Sequence, residues 1–211
     1  MKSLSFGGRV GRVWRAYERQ LARRPVLTNA ATTAAIWAAG ELLSQTISGE
    51  KTVKKAQVLS SAAYGGAVIG PLGHVWYLWL DRACTARLAP GTIPFVAAKV
   101  ALDAFAFGPV HVAGFFAYSE LVAGGNLGTI ARRLKQDFAP TFVAELAFWP
   151  GFQALNFLLV PPHHQLLAVN VASLAECTFL CWARGQDDWL AAAMDALNMS
   201  KAEPKPQRTT V

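Results

Sequence analysis

Long apolar runs alternate with short polar and basic segments along almost the whole chain. Each run is long enough for a membrane-crossing helix, which needs about 20 residues. The pattern predicts an all-α polytopic membrane helix bundle with four firm spans, a fifth, Pro-broken helix and an N-terminal amphipathic helix. The four firm spans cover, roughly, residues 26–47, 58–80, 93–122 and 166–182.

The fifth apolar segment, residues 138–160, carries polar and helix-breaking residues near its middle. Its stretch WPGFQALNF contains Pro150, Gln153 and Asn156. Pro150 cannot donate a hydrogen bond to residue 146, and lipid cannot satisfy the two amides. We therefore predict that this helix breaks at or just before Pro150 and lies inside the bundle. Gln153 or Asn156 should then hydrogen-bond to another helix or to water in a cavity.

Prolines and small residues are expected to shape the other spans. Pro71 and Pro109 each follow a glycine inside an apolar run, and each is predicted to bend its helix, as Pro150 is. Small residues at steps of four let helices approach closely in lipid. Such steps are formed by Ala31, Ala35 and Ala39, and a second smooth face by Gly65, Gly66, Gly70 and Gly73.

Polar side chains inside the predicted spans are the candidate functional residues, because an unpaired charge in hydrocarbon costs at least about 2.5–3.5 kcal/mol. Lys99 and Asp103 are four residues apart and share a helix face. They either form a pair that lines a polar cavity, or Lys99 lies near the membrane edge. His74 has both a structural and a functional interpretation. The predicted polar network or pore lining is Glu41, Gln45, His74, Lys99, Asp103, Gln153 and Asn156.

The N-terminal residues 1–24 hold six Arg, one Lys and one acid, with apolar residues at steps of three and four. This pattern is typical of a mitochondrial targeting segment and of a helix in the membrane interface. The predicted domains are this basic amphipathic helix (1–24), the membrane helix bundle (25–184) and a polar C-terminal tail (185–211). We expect residues 14–24 to remain part of the folded protein.

The amino-acid composition argues against several classes of function. Hydrophobic residues make up 53% and charged residues 16% of the chain, whereas soluble domains average about 25% charged. The net charge of +7 comes from clusters between apolar runs, which favours basic loops beside membrane spans over a nucleic-acid surface. Three cysteines without a CxxC pattern predict neither a disulfide framework nor a metal site. We expect no catalytic activity and no cofactor.

Five motifs occur in one order along residues 14–184, and together they resemble the Mpv-seventeen and peroxisomal twenty-two-kilodalton membrane protein family. The resemblance implies a small multispanning protein of the mitochondrial inner membrane or the peroxisomal membrane, in a family linked to channel-like permeation of small solutes. It implies no settled catalytic activity. The motifs are WRAYERQLARRPVLTNA, GELLSQ, GPLGHVWY, KVALDAFAFGP and WPGFQALNFLLVP.

The chain also departs from the family pattern. Glu41 stands where Asp is usual, Ala104 replaces a Gln, Gln165 replaces a basic residue and Glu176 replaces a Trp. Two functions are therefore predicted: a passive pore for small solutes, or a non-conducting structural subunit of a larger inner-membrane complex. The expected partners are membrane lipids and either such a complex or further copies of this chain. The Arg-rich start favours the mitochondrial inner membrane over the peroxisomal membrane.

Overall fold

The structure is a computed structural model that describes residues 10–159 and 162–201. These residues form helices joined by short loops, and no strand occurs among them, so the predicted all-α class is confirmed. The helices are α1 (Val10–Arg23), α2 (Pro25–Ile47), α3 (Lys55–Ala63), α4 (Gly70–Thr85), α5 (Ile93–Leu102), α6 (Gly108–Val122), α7 (Leu127–Leu159), α8 (Pro162–Arg184) and α9 (Trp189–Lys201).

Two π-helical segments join consecutive helices into longer rods. The first, Tyr64–Ile69, connects α3 to α4, and the second, Asp103–Phe107, connects α5 to α6. Each rod continues past its Gly-Pro pair, with Pro71 and Pro109 at the second residue of the following α-helix. A proline lacks an N–H and crowds the carbonyl four residues earlier. The wider π turn directly before each proline accommodates the missing N–H donor and the crowded carbonyl without ending the helix.

Helix α7 runs without interruption from Leu127 to Leu159, with Pro140 and Pro150 inside it. The predicted break at or just before Pro150 is therefore wrong. A proline removes one backbone hydrogen bond, and neighbouring helices can satisfy the carbonyl that it frees. The helix also starts well before the apolar segment, because the polar residues 129–137 form its first turns.

Helix α2 packs against α8, α4, α3 and the first π segment. It approaches α8 so closely at Gly40 that an added Cβ would lie 2.7 Å from the Cβ of Cys177. Ala30 and Ala34 face the glycines of the α3–α4 rod. The small-residue face predicted at Ala31 and Ala35 is displaced by one position, because both of those side chains are exposed.

Gly70 provides a test of this packing. An added Cβ would lie 2.7 Å from the Cα of Ala30, and backbone cannot move aside as a flexible side chain can. We expect Gly70→Ala to lower the free energy of unfolding in detergent by about 1–3 kcal/mol. Gly73→Ala is the matched control, since nothing lies within 4 Å of its added Cβ. Equal thermal unfolding of the two variants would contradict the close approach of α2 and α4.

Judged by length and composition alone, only the Ile93–Val122 rod among the described helices is both long and apolar enough to cross a membrane. It has 30 residues, and only 22% of its most apolar window is buried. A core helix of a soluble protein would be mostly covered by protein. Of the four predicted firm spans, residues 93–122 are recovered in this way, and the spans at 26–47, 58–80 and 166–182 are not.

Helices lie near both ends of the described chain. Helix α1 occupies residues 10–23 of the predicted N-terminal helix, and residues 1–9 lie outside the described residues. Residues 189–201 of the predicted C-terminal tail form helix α9. Its Trp189 is buried, with its ring centroid 5.2 Å from that of Phe179 on α8. The apolar contact explains why this part of the polar tail is helical and docked.

Candidate functional site

A cavity of about 720 Å³ lies within the helix bundle. Its walls come from α1, α2 and the rods and helices from α4 to α8. Four residues of the predicted polar network line it, and they come from three different helical elements and one π segment. These four are His74, Lys99, Asp103 and Gln153.

Asp103, at the start of the second π segment, is bound by aromatic donors rather than by a charge. The indole Nε1 of Trp76 donates to its Oδ1 at 2.9 Å, and the hydroxyl of Tyr77 donates to its Oδ2 at 3.2 Å. Both donors are on α4, so the contact joins the two rods. The motif residues that follow Gly70-Pro71 thus position the aspartate.

Lys99 forms its ion pair with Asp81, with the Nζ atom 2.9 Å from Oδ1. Of the two alternatives for Lys99, the pair with Asp103 is therefore not the one that the structure shows. Asp81 lies in the last turns of α4, and its side chain is 61% exposed. The long lysine side chain reaches toward this open end of the cavity, as long basic side chains near helix ends commonly do.

His74 contacts the first long helix: its Nδ1 lies 3.3 Å from the Nδ2 of Asn29 on α2. Gln153 and Asn156 on α7 are both buried, as predicted. Their described hydrogen bond joins them to each other, with the Asn156 Nδ2 donating to the Gln153 Oε1 at 3.4 Å. Gln153 faces the cavity. The expected direct bond from either amide to another helix is not found among the described contacts.

The inner part of the cavity holds acidic and imidazole groups that the predicted network did not include. The Nε2 of His111 on α6 lies 3.4 Å from the Oε1 of Glu176 on α8. Glu145 on α7 lines the same cavity as Glu176. The indole of Trp149 donates to the Glu176 Oε1 at 3.1 Å. The signal in the sequence was that each of these residues is a polar residue within a predicted apolar run.

Glu41 and Gln45 lie away from this cavity, in a second buried cluster. The Arg184 Nη2 of α8 lies 2.5 Å from the Glu41 Oε2, and the Ser61 hydroxyl donates to the same oxygen at 3.0 Å. The Gln45 amide donates to the Glu41 Oε1 at 2.8 Å. We call Glu41, Gln45, Ser61 and Arg184 the Glu41 cluster. It joins α2, α3 and α8, so these two predicted residues stabilise the bundle rather than line the cavity.

Arg133, in the first turns of α7, binds the C-terminal end of α8. Its Nη2 donates to the backbone oxygens of Ala183, Arg184 and Gln186 at 3.1, 2.8 and 3.0 Å. Its Nε pairs with the buried Asp137 at 2.6 Å. The last carbonyl groups of a helix lack intrahelical partners, and a guanidinium satisfies several of them at once. Arg133 was not among the functional residues predicted from the sequence.

Metal chemistry finds no support in the described part of the chain. No group of three His, Cys, Asp or Glu side chains there has the arrangement of a metal site. Cys84, Cys177 and Cys181 are all buried and unbridged. Cys177 packs at the close approach of α2 and α8, and Cys181 lies 3.7 Å from the Ser61 hydroxyl. The cysteines therefore act as core residues.

The chain was compared with protein-family sequence patterns and with individual known proteins, and both comparisons found similar sequences. The sequence pattern of the Mpv17 / PMP22 family matches residues 120–181. Protein sym1 of Aspergillus oryzae is 32% identical over 165 residues, which are 77% of this chain and 92% of that protein. Protein SYM1 of Saccharomyces cerevisiae is 31% identical over 171 residues, 79% of this chain and 87% of that protein. No solved structure is detectably similar to this chain.

A relative from rat gives evidence on where in the cell this protein is located. The mitochondrial inner membrane protein Mpv17 of Rattus norvegicus is 29% identical over 178 residues, 82% of this chain and 98% of that protein. The predicted location in the mitochondrial inner membrane is confirmed by this relative. The two fungal relatives, at 32% and 31% identity, match 77% and 79% of this chain. The chain therefore belongs to the Mpv17 / PMP22 family.

Proposed function

We propose that this protein lets small solutes permeate the mitochondrial inner membrane, through the cavity inside its helix bundle. The observation that carries the proposal is the placement of His74, Lys99, Asp103 and Gln153 around one cavity of about 720 Å³. Cavities that bind small molecules commonly have a volume of about 300–1,000 Å³ and a few convergent polar groups. The proposed passage involves no chemical step on the solute.

The distribution of apolar side chains supports a membrane setting for all the long helices. Large apolar residues point outward on each of them, while acidic and amide groups face inward. A bilayer covers such an outer surface, and a polar interior then needs partners or water. We propose that α2, the two rods, α7 and α8 all cross the membrane. Exposed examples are Leu43, Val75, Phe105, Val143 and Val171.

Asp103→Asn tests the cavity as a passage. A fixed charge in a cleft raises the local concentration of counter-ions. We expect purified wild-type protein in planar bilayers to conduct, and the Asn variant to carry less cation current in KCl by about twofold or more. Asp195→Asn, on the exposed surface of α9, should conduct like the wild type. Silent bilayers across repeated wild-type preparations would contradict the proposed function.

The alternative is a non-conducting structural subunit of a larger inner-membrane complex. Large aromatic side chains on the outer surface favour it, because protein–protein interfaces are enriched in aromatic residues. Trp79 is 51% and Phe105 is 67% exposed. Native gels after extraction in a mild detergent distinguish the two functions. Stable co-migration with a much larger assembly supports the structural role, and a band at the size of the isolated chain contradicts it.

A further inference from the structure

The geometry points to a binding site for a small organic cation, a protonated primary amine, formed by Glu145, Glu176 and His111 at the inner end of the cavity. This inference deepens the proposed function, because it names a class of solute for the same cavity. It is carried by three observations: two largely buried carboxyl groups on one cavity, the charge balance of the cavity wall, and a buried imidazole whose ring nitrogens make no hydrogen bond in the described structure.

The two carboxyl groups line the cavity from different helices. Glu145 is 9% exposed, the side chain of Glu176 is 12% exposed, and both face the same cavity. Two carboxylates in a buried site repel each other, so a proton or a cation must lie between or beside them. An ammonium group has three N–H donors and a positive charge. It therefore satisfies both the charge and the acceptor oxygens.

The charge balance of the described cavity wall is strongly acidic. Four carboxyl groups face the cavity, from Asp81, Asp103, Glu145 and Glu176, against the single ammonium group of Lys99. That ammonium group is 2.9 Å from Asp81 at the exposed end. It consequently neutralises the opening of the cavity rather than its inner end. A mobile cation entering from water is attracted by the carboxyl groups that Lys99 does not neutralise.

His111 supplies the third acceptor. Its side chain is 9% exposed, it faces the cavity, and neither ring nitrogen has a hydrogen-bond partner within the described structure. A neutral imidazole offers one acceptor nitrogen, which suits an N–H of the ligand. The two carboxyl groups and the imidazole thus face the same cavity from three different helices.

The surrounding wall suits the organic part of such a ligand. The ring centroids of Trp37 and Phe107 both lie 6.0 Å from that of His111. Trp149 adds an indole beside Glu176. Aromatic faces attract ammonium groups and also cover short alkyl chains. The site is therefore expected to prefer an alkylammonium over potassium, and an alkylammonium over an uncharged alcohol of equal length.

Calorimetric titration of the full-length protein in detergent micelles tests the site, with n-butylammonium chloride as the probe. We expect saturable binding by the wild type, and weaker binding of about tenfold or more by Glu176→Gln and by Glu145→Gln, since a charge-assisted hydrogen bond contributes about 1.5–3 kcal/mol. Glu50→Gln, a change on the exposed surface outside the cavity, should bind like the wild type. Thermal unfolding shows whether each variant is folded.

Comparison ligands make the result independent of the variants. We expect n-butanol not to bind, and KCl at the same concentration not to displace n-butylammonium. Equal binding of the alcohol, displacement by potassium, or wild-type affinity in both folded Gln variants would each overturn the site. Because binding is measured in micelles, it does not require conduction. If the protein binds n-butylammonium but bilayers show no conductance, the pore is rejected and the binding site stands. If bilayers conduct but n-butylammonium does not bind, the binding site is rejected and the pore stands.

Discussion

Arg184→Ala is expected to lower the free energy of unfolding in mixed micelles by about 3–5 kcal/mol, because it leaves a buried carboxylate without its partner. Glu41 is 1% exposed, and Arg184 is its only described cationic contact. Gln45 and Ser61 would still donate hydrogen bonds, but they carry no charge. Thermal or denaturant unfolding of the purified variant measures the loss.

Two further variants separate the ion pair from other effects of the substitution. Arg87→Ala removes an exposed arginine with no described ion pair, and it should unfold like the wild type. Glu41→Leu combined with Arg184→Met removes both charges at once and should recover most of the stability lost in Arg184→Ala. An unchanged unfolding curve for Arg184→Ala would show that Glu41 does not depend on this arginine.

Arg133→Ala is the second substitution with a large expected effect, about 3 kcal/mol or more. It removes donors to three carbonyl groups at the end of α8 and leaves Asp137, which is 1% exposed, without its ion-pair partner. It also removes a guanidinium that lies 5.6 Å from the ring centroid of Phe116. We expect the local stability of α9 to fall together with that of the end of α8, because α9 follows α8 directly in the chain.

Limited proteolysis and unfolding measure this second effect together. Cleavage in the loop at residues 185–188 should become faster in Arg133→Ala than in the wild type. The neighbouring exposed Arg132 gives the matched control, because Arg132→Ala removes the same charge from the same helix turn. If both variants unfold and are cleaved alike, the contacts of Arg133 with the end of α8 do not contribute to stability.

The helical class and the inward position of the polar groups were predictable from the sequence, because both follow from local patterns. Apolar runs with sparse charges require helices, and lipid cannot satisfy amides such as Gln153. The course of the chain at the prolines was less predictable. At Pro71 and Pro109 the backbone uses a π turn, and at Pro150 the α-helix simply continues. Proline chemistry alone does not distinguish these outcomes, since neighbouring helices decide which carbonyl groups are satisfied.

The pairing of charges could not be predicted, because it depends on how distant helices are placed. Lys99 has Asp103 as its nearest acid on its own helix face, yet it pairs with Asp81 on another helix. Glu41 and Gln45 resembled cavity residues by spacing, but Arg184, far along the chain, draws them into a structural cluster. The sequence revealed which residues needed partners, whereas packing determined the partners.

The ion pair between Glu41 and Arg184 has a consequence for how the protein is made. The two residues are 143 positions apart, so most of the bundle is synthesised between the two charges. In the proposed arrangement, in which α2 and α8 both cross the membrane, the carboxylate of Glu41 has no ion-pair partner until α8 has been synthesised and packed beside α2. A chain that ends before Arg184 would leave this carboxylate unpaired. The ion pair of Glu41 with Arg184 therefore forms only after α8, the last long helix, has been synthesised and has packed against α2.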